Sequence, residues 1–148
     1  MPNGDLCKGR ISLVGQIYHL TLCTHQRQPW FDDFCIARSV VRQMRRLQDE
    51  QQLDTLAWVL MPDHLHWMVS KRSGLPLSAL IRLFKGRTAG VARADCRGRR
   101  LWQRGFYDHA LRQDEALTGV ARYIVANPLR AGLVRQIGQY PHWDAVWL

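Results

Sequence analysis

Residues 54–72 read DTLAWVLMPDHLHWMVSKR, and the interpretation of this stretch decides the fold. Residues 55–61 and 64–71 are strand-length runs of aliphatic, aromatic and β-branched side chains. Pro62 and Asp63 between them are turn residues, because proline pre-sets φ and aspartate bonds to its own backbone. The stretch therefore predicts an antiparallel hairpin. Upstream, residues 16–24 (QIYHLTLCT) alternate like a first strand, and Asp33 can cap a helix over 34–52. That helix would place Ile36, Val40, Val41, Met44 and Leu47 on one face and Arg38, Arg42, Arg45 and Arg46 elsewhere. Downstream, the pattern predicts a helix over 77–93, interrupted by Gly86 and Gly90, and a last short strand over 106–112. Asp114 then caps a helix over 115–127. The order β, α, β, β, α, β, α is an α+β, ferredoxin-like split βαβ unit with an antiparallel sheet and one added helix. Residues 135–148, with Tyr140, Pro141, His142, Trp143 and Trp147, read as an irregular aromatic tail.

The chain has 148 residues, 47% of them hydrophobic, which predicts one compact domain. Its formal charge of +9 is unevenly placed. Residues 71–104 hold ten basic side chains and one acid, Asp95, while the other 114 residues carry eleven of each sign. A segment that holds the whole imbalance points to a polyanionic partner rather than a dissolved acidic metabolite. Arginines outnumber lysines 18 to 3, and the planar guanidinium fork suits phosphate and base edges.

Other classes are disfavoured. No apolar run approaches the ~18 to 20 residues that span a bilayer, and Asp5, Lys8, Arg10 and Gly15 break up any signal-peptide pattern, so a cytoplasmic location is expected. Cys7, Cys23, Cys35 and Cys96 form no C-x-x-C pair and read as reduced thiols. No G-x-x-x-x-G-K-[ST] motif is present, which leaves a nucleotide-driven motor unsupported.

His64 and His66 flank Leu65 on a predicted strand, so both imidazoles leave the same face, about 6.6 Å apart along the backbone. Two convergent nitrogens make half a metal site. Tyr123 and Asn127, four residues apart, share a face of the third helix, and Pro128 places the Asn127 amide near that helix's end.

These residues resemble the REP-associated tyrosine transposases, relatives of the single-tyrosine HUH transposases. The resemblance rests on Trp58-Val59-Leu60-Met61-Pro62-Asp63 before His64-Leu65-His66 and on Gly105-Phe106-Tyr107-Asp108-His109. It extends to Tyr123-x-x-x-Asn127-Pro128-x-Arg130-Ala131-Gly132-Leu133-Val134, and runs from Tyr18-His19-x-Thr21 to the tail. It implies a metal-dependent, single-stranded DNA endonuclease and strand transferase acting at palindromic hairpins with an adjoining unpaired tetranucleotide. By resemblance, His64, His66 and Asn127 are ligands of one Mg²⁺ or Mn²⁺ and the added helix carries the nucleophile, Tyr123. The product is a 5′-phosphotyrosine link with a free 3′-OH. Insertion-sequence relatives usually have Gln where this chain has the shorter Asn127. The transposase domain would run over 1–134, with the tail over 135–148 on or near the active site. A monomer is implied, with a homodimer exchanging the tyrosine helix as the alternative.

The chemistry is physically sensible. A tyrosine with a pKa of about 10 is ionised about one part in a thousand at pH 7, a deficit of roughly 4 kcal/mol. A divalent ion beside the phosphate offsets charge building on its oxygens, although two imidazoles and an amide equally suit Mn²⁺, Ni²⁺ or Zn²⁺. Asp63 and His109 are candidates for a supporting role around the metal ligands. Phosphate contacts are expected from Arg72, Arg82, Lys85, Arg87, Arg93, Arg97, Arg99, Arg100 and Arg104, with Arg10 reaching from the N-terminus and Trp102 and Phe106 offering faces to unpaired bases. Two other readings stay open: a hairpin-binding module without chemistry, and a zinc-dependent hydrolase using His64, His66 and His109.

Overall fold

The computed structural model describes residues 15–112 and 116–147. In chain order the elements are β1 (Ile17–Cys23), α1 (Phe34–Asp49), β2 (Leu53–Met61), β3 (His64–Lys71), α2 (Leu77–Ala92), β4 (Tyr107–Leu111), α3 (Leu117–Val125), α4 (Asn127–Arg130) and β5 (Trp143–Ala145). Short 3₁₀ turns join some of them. The strands form one sheet in the order β4-β1-β3-β2-β5, every neighbour antiparallel. The first four strands have the spatial order of the split βαβ unit expected from the sequence.

The hairpin closes where the turn chemistry placed it. Met61 pairs with His64 across Pro62 and Asp63, and the ladder runs back to Leu53 opposite Lys71 with a bulge between Thr55 and Ala57. Strand alternation then divides the molecule into two layers. Leu65, Trp67 and Val69 of β3 join Tyr18, Leu20 and Leu22 of β1 and Leu60 of β2 in the larger core, covered by α1 and α2. Asp33 caps α1, its carboxylate accepting from Cys35 N at 2.9 Å and Ile36 N at 3.1 Å. Trp67 satisfies its indole N–H on Thr55 Oγ1 at 3.0 Å. On the opposite face Ala57, Val59, Met61 and Met68 pack beneath Ala121, Ile124 and Val125 of α3. That second face is the one carrying His64 and His66.

Two elements differ from expectation. The third helix breaks at Ala126 (φ −79°, ψ −3°) and resumes as α4, whose first two residues are Asn127 and Pro128. Proline is tolerated in a first turn because it needs no N–H there. Helix α3 begins at Leu117, and Asp114, its expected cap, lies outside the described residues. The tail supplies an edge strand as well as irregular backbone. Leu60 N donates to His142 O and Val146 N to Leu56 O, both at 2.9 Å, which zips β5 to the free edge of β2. Tyr140 Oη donates to Leu60 O at 2.6 Å, so the tail lies one strand away from the histidine-bearing β3.

Candidate active site

The two histidines stand on β3 with Leu65, wholly buried in the opposite core, as the anchor between them. Their ring centroids are 4.9 Å apart and the rings are nearly perpendicular, at 87°. Each ring is held through Nδ1. His64 Nδ1 lies 2.7 Å from Asp63 Oδ1; a carboxylate only accepts, so Nδ1 carries a proton, and in the neutral tautomer the lone pair is on Nε2. His66 Nδ1 lies 3.1 Å from His19 Nε2 and 3.2 Å from Thr21 Oγ1. With Nδ1 donating to either, His66 also offers a bare Nε2. Metal-binding histidines are oriented by this kind of contact through the other ring nitrogen.

The electrostatics favour a neutral imidazole at His66 and at His19. Burial, followed by the fields of His64, His19, Arg130 and Arg27, pushes the pKa of His66 down to about 3. His19 is lowered by burial and then by His109. Burial works to raise the Asp63 carboxyl, but hydrogen bonds from Arg27 and His64 and their charges outweigh it and hold its pKa below the usual value. Arg27 Nε donates to Asp63 Oδ2 at 2.9 Å, and Arg27 Nη2 lies 3.5 Å from His64 Nδ1. The hydrogen bond to Asp63 also raises the pKa of Arg27.

Tyr123 projects from α3 with 61% of its surface exposed. The Arg130 guanidinium carbon sits 3.9 Å from the Tyr123 ring centroid, and its Nη2 donates to Tyr123 O at 2.7 Å. Because the same guanidinium helps to depress His66, α4 links the tyrosine to the histidine side of the sheet. Asn127 Nδ2 donates to Ile124 O at 2.8 Å. Its Oδ1, the atom a cation would take, keeps no hydrogen bond among the described residues. Two imidazole nitrogens and an amide oxygen are a donor set that fits a first-row divalent ion or Mg²⁺. No group of three or more His, Cys, Asp or Glu side chains is placed to hold a metal among the described residues. His109 is exposed on β4, opposite His19 in register, and its field helps to lower the pKa of His19.

The sequence reading singled out the pair, the tyrosine and Asp63 as candidates, but gave no role to His19, Thr21, Arg27 or Arg130. His19 and Thr21 had a legible sign, since they alternate on β1 and pair with Met68 and His66. Arg27 had none: it reaches Asp63 because Gln26 and Arg27 both adopt left-handed backbone, at φ 55° and 54°.

The basic segment divides into engaged and open side chains. Arg87 meets Glu50 with both terminal nitrogens, at 2.6 and 3.2 Å, and Arg72 pairs with Asp54 at 3.3 Å. Lys85 donates to Gln103 O at 2.8 Å and to Gly105 O, and burial first, then Arg100, pushes its pKa down to about 8. Arg100 Nε donates to Trp102 O at 2.9 Å, and Arg99 lies over the Trp30 ring at 5.3 Å. Arg82, Arg93, Arg97 and Arg104 are exposed. The expectation for Trp102 is corrected. It is only 4% exposed, packed against Phe31 and Phe84 with Nε1 on Thr88 Oγ1 at 2.7 Å, so its ring offers no face to a base. Arg10 lies outside the described residues.

The chain is 26% identical over 97 residues to a REP-associated tyrosine transposase of Escherichia coli, a match covering 65% of this chain and 56% of that protein. The chain thus spans little more than half of that relative's length. Its fold matches a REP-associated tyrosine transposase solved bound to a REP hairpin, with TM-score 0.72 and 23% identity over 90% of this chain and 79% of the other. A candidate transposase from Deinococcus radiodurans matches with TM-score 0.58 and 20% identity, covering 79% of this chain and 94% of its own. No helix among the described residues is long and apolar enough to cross a membrane. The sequence profile described as "Transposase IS200 like" matches residues 12–127, and the chain belongs to that transposase family.

Proposed function

We propose that this protein is a metal-dependent single-stranded DNA endonuclease and strand transferase that cuts and rejoins DNA at REP-type palindromic hairpins. The observation that carries the reading is the His64 and His66 pair, each ring fixed through Nδ1 with Nε2 free, on the sheet face packed by the Tyr123 helix. His64, His66 and Asn127 would hold Mg²⁺ or Mn²⁺, which when bound offsets charge on the phosphate oxygens and orients them for in-line attack. Tyr123 Oη forms the new bond to phosphorus and loses its proton, while the bond to the 3′ oxygen breaks and that oxygen is protonated. The phosphotyrosine link conserves the phosphodiester energy, so attack by a 3′-OH reverses the step without ATP. Arg130, stacked on the Tyr123 ring, holds the phenol's side chain and places positive charge where phenolate character develops.

The test is a denaturing gel of protein, Mn²⁺ or Mg²⁺, and end-labelled hairpins taken from palindromic repeats neighbouring the gene. A covalent adduct in the wild type and none in Tyr123→Phe is the expected result. Metal-independent binding without cleavage on any of these hairpins would instead support a binding module.

A further inference from the structure

The tail builds a cavity on the side of the sheet away from the histidines. A pocket of about 350 Å³ lies between α1 and the edge formed by β2 and β5, at the small end of the range that holds organic ligands. Trp143 and Ala145 of β5 pack into the core beneath α3, so strand alternation turns Asp144, between them, toward α1. Asp144 pairs in register with Trp58, and Trp58 belongs to the core that α1 covers. The pocket therefore has an apolar floor of Val41, Met44 and Trp58, with Arg38 and Arg45 on the helix wall and Asp144 on the wall facing them.

The charges in this pocket do not meet. Neither the half-buried Arg38 nor the exposed Arg45 has an ion pair or hydrogen bond among the described residues, so Arg38 bears desolvation with no counter-ion to offset it. The two arginines stand two turns apart on α1, about 10.5 Å along its axis, and side chains of that length converge on one group between them. Asp144 Oδ1 accepts from Ala145 N at 2.8 Å, which leaves Oδ2 as an acceptor. Two guanidinium groups with no acid beside them match a dianion. A phosphate monoester carries about −1.5 to −2 at pH 7 and fits the guanidinium fork, whereas a single carboxylate leaves one arginine uncompensated. The floor suits a flat apolar body, and Asp144 suits an N–H donor at that body's far end. A mononucleotide combines the three, since its base carries N–H groups on the edge opposite the sugar and phosphate.

We propose that the pocket between α1 and β5 binds a free nucleoside 5′-monophosphate, its phosphate on Arg38 and Arg45, its base over Trp58 and a base N–H on Asp144. The pocket lies on the face opposite His64 and His66, so its occupant does not meet the phosphate that Tyr123 attacks, and the proposal does not depend on the catalytic reading. A ligand held there ties the tail strand to α1.

The test is titration calorimetry of the full chain in a chelator, which removes any metal site from the readout. The probes are the four deoxynucleoside 5′-monophosphates, their nucleosides, inorganic phosphate and a short single strand of mixed sequence. At least one mononucleotide should bind the wild type one to one with a Kd of about 1 mM or tighter, and its nucleoside and inorganic phosphate should bind at least about tenfold more weakly. Arg38→Gln/Arg45→Gln should lose about tenfold or more in affinity, the scale of one hydrogen bond to a charged group. Asp144→Ala should weaken the mononucleotide by a similar factor and leave inorganic phosphate unchanged, because it removes only the contact to the base. Arg45 is exposed, so Arg45→Gln alone carries the test if the double variant does not fold. Absence of binding by every mononucleotide at about 10 mM overturns the proposal. Equal affinity in the wild type and the arginine variant overturns it by placing the nucleotide elsewhere, and loss of single-strand binding alone in that variant overturns it by making the pocket a contact for DNA.

Discussion

Acidification from pH 7 to pH 5 should destabilise the metal-free protein through His66 in particular. In the folded chain His66 has a pKa of about 3 against an ordinary 6.5, burial being the largest cause. At pH 7 the residue is mostly neutral in both states and makes little difference between them. As the pH falls through 6.5 the unfolded chain takes up a proton that the folded chain refuses, so stability present above 6.5 is lost progressively until the pH nears 3. At pH 5 the gap amounts to about 1.5 pH units, on the order of 2 kcal/mol at 1.36 kcal/mol per unit. His19, also lowered by burial, contributes in the same direction. Asp63, held low by Arg27 and His64, contributes only below the ordinary carboxylate pKa near 4. The assay is urea unfolding at pH 7, 6 and 5 in the presence of a chelator, for wild type and His66→Gln. The wild type should lose roughly 2 kcal/mol more than the variant between pH 7 and 5. Parallel slopes for the two proteins would refute the claim that His66 is buried and neutral, and with it the argument that this nitrogen is available to a cation at every physiological pH.

Other consequences follow from the same geometry. Leu65→Ala should cost about 2–5 kcal/mol in denaturant unfolding, because Leu65 is fully buried among Leu20, Leu22 and Leu60, and should weaken the site by freeing both flanking histidines. Arg27→Ala removes an exposed ion pair worth at most about 1 kcal/mol of stability, yet leaves Asp63 without the partner that aims it at His64. Metal affinity measured by titration calorimetry should fall roughly 10- to 100-fold, while Tm changes little; an unchanged affinity would remove Arg27 from the site.

Much of this architecture was readable in the chain because local chemistry and tertiary packing agree. Pro62 and Asp63 fix the hairpin turn, alternation on either side sorts Leu65 from His64 and His66, and Asp33 caps α1 as its side chain predicts. Helix α2 survives Gly86 and Gly90 because Leu77, Ile81, Phe84 and Ala92 keep its buried stripe continuous. The misreadings share a different cause: each depends on a partner distant in sequence. Three residues, Trp143–Ala145, become a strand only because β2 presents an open edge. Trp102 lies among arginines in sequence but is drawn into the core by Phe31, Phe84 and the Thr88 hydroxyl. Arg87 and Arg72 contribute to the charge count and are nevertheless paired with Glu50 and Asp54. The excess positive charge therefore concentrates on fewer side chains than composition implied, around a cleft between α2 and residues 98–106.

The central claim is that Tyr123 is the nucleophile of a reaction assembled on the His64 and His66 pair. Its most direct test is mass spectrometry of the protein after incubation with Mn²⁺ and a cleavable hairpin, followed by denaturation and nuclease digestion. The account predicts a nucleotide joined through its 5′ phosphate to the peptide containing Tyr123, absent in Tyr123→Phe and strongly reduced in His64→Ala and His66→Ala. A cleaved hairpin with no protein-linked nucleotide, or an adduct that persists in Tyr123→Phe, would contradict it.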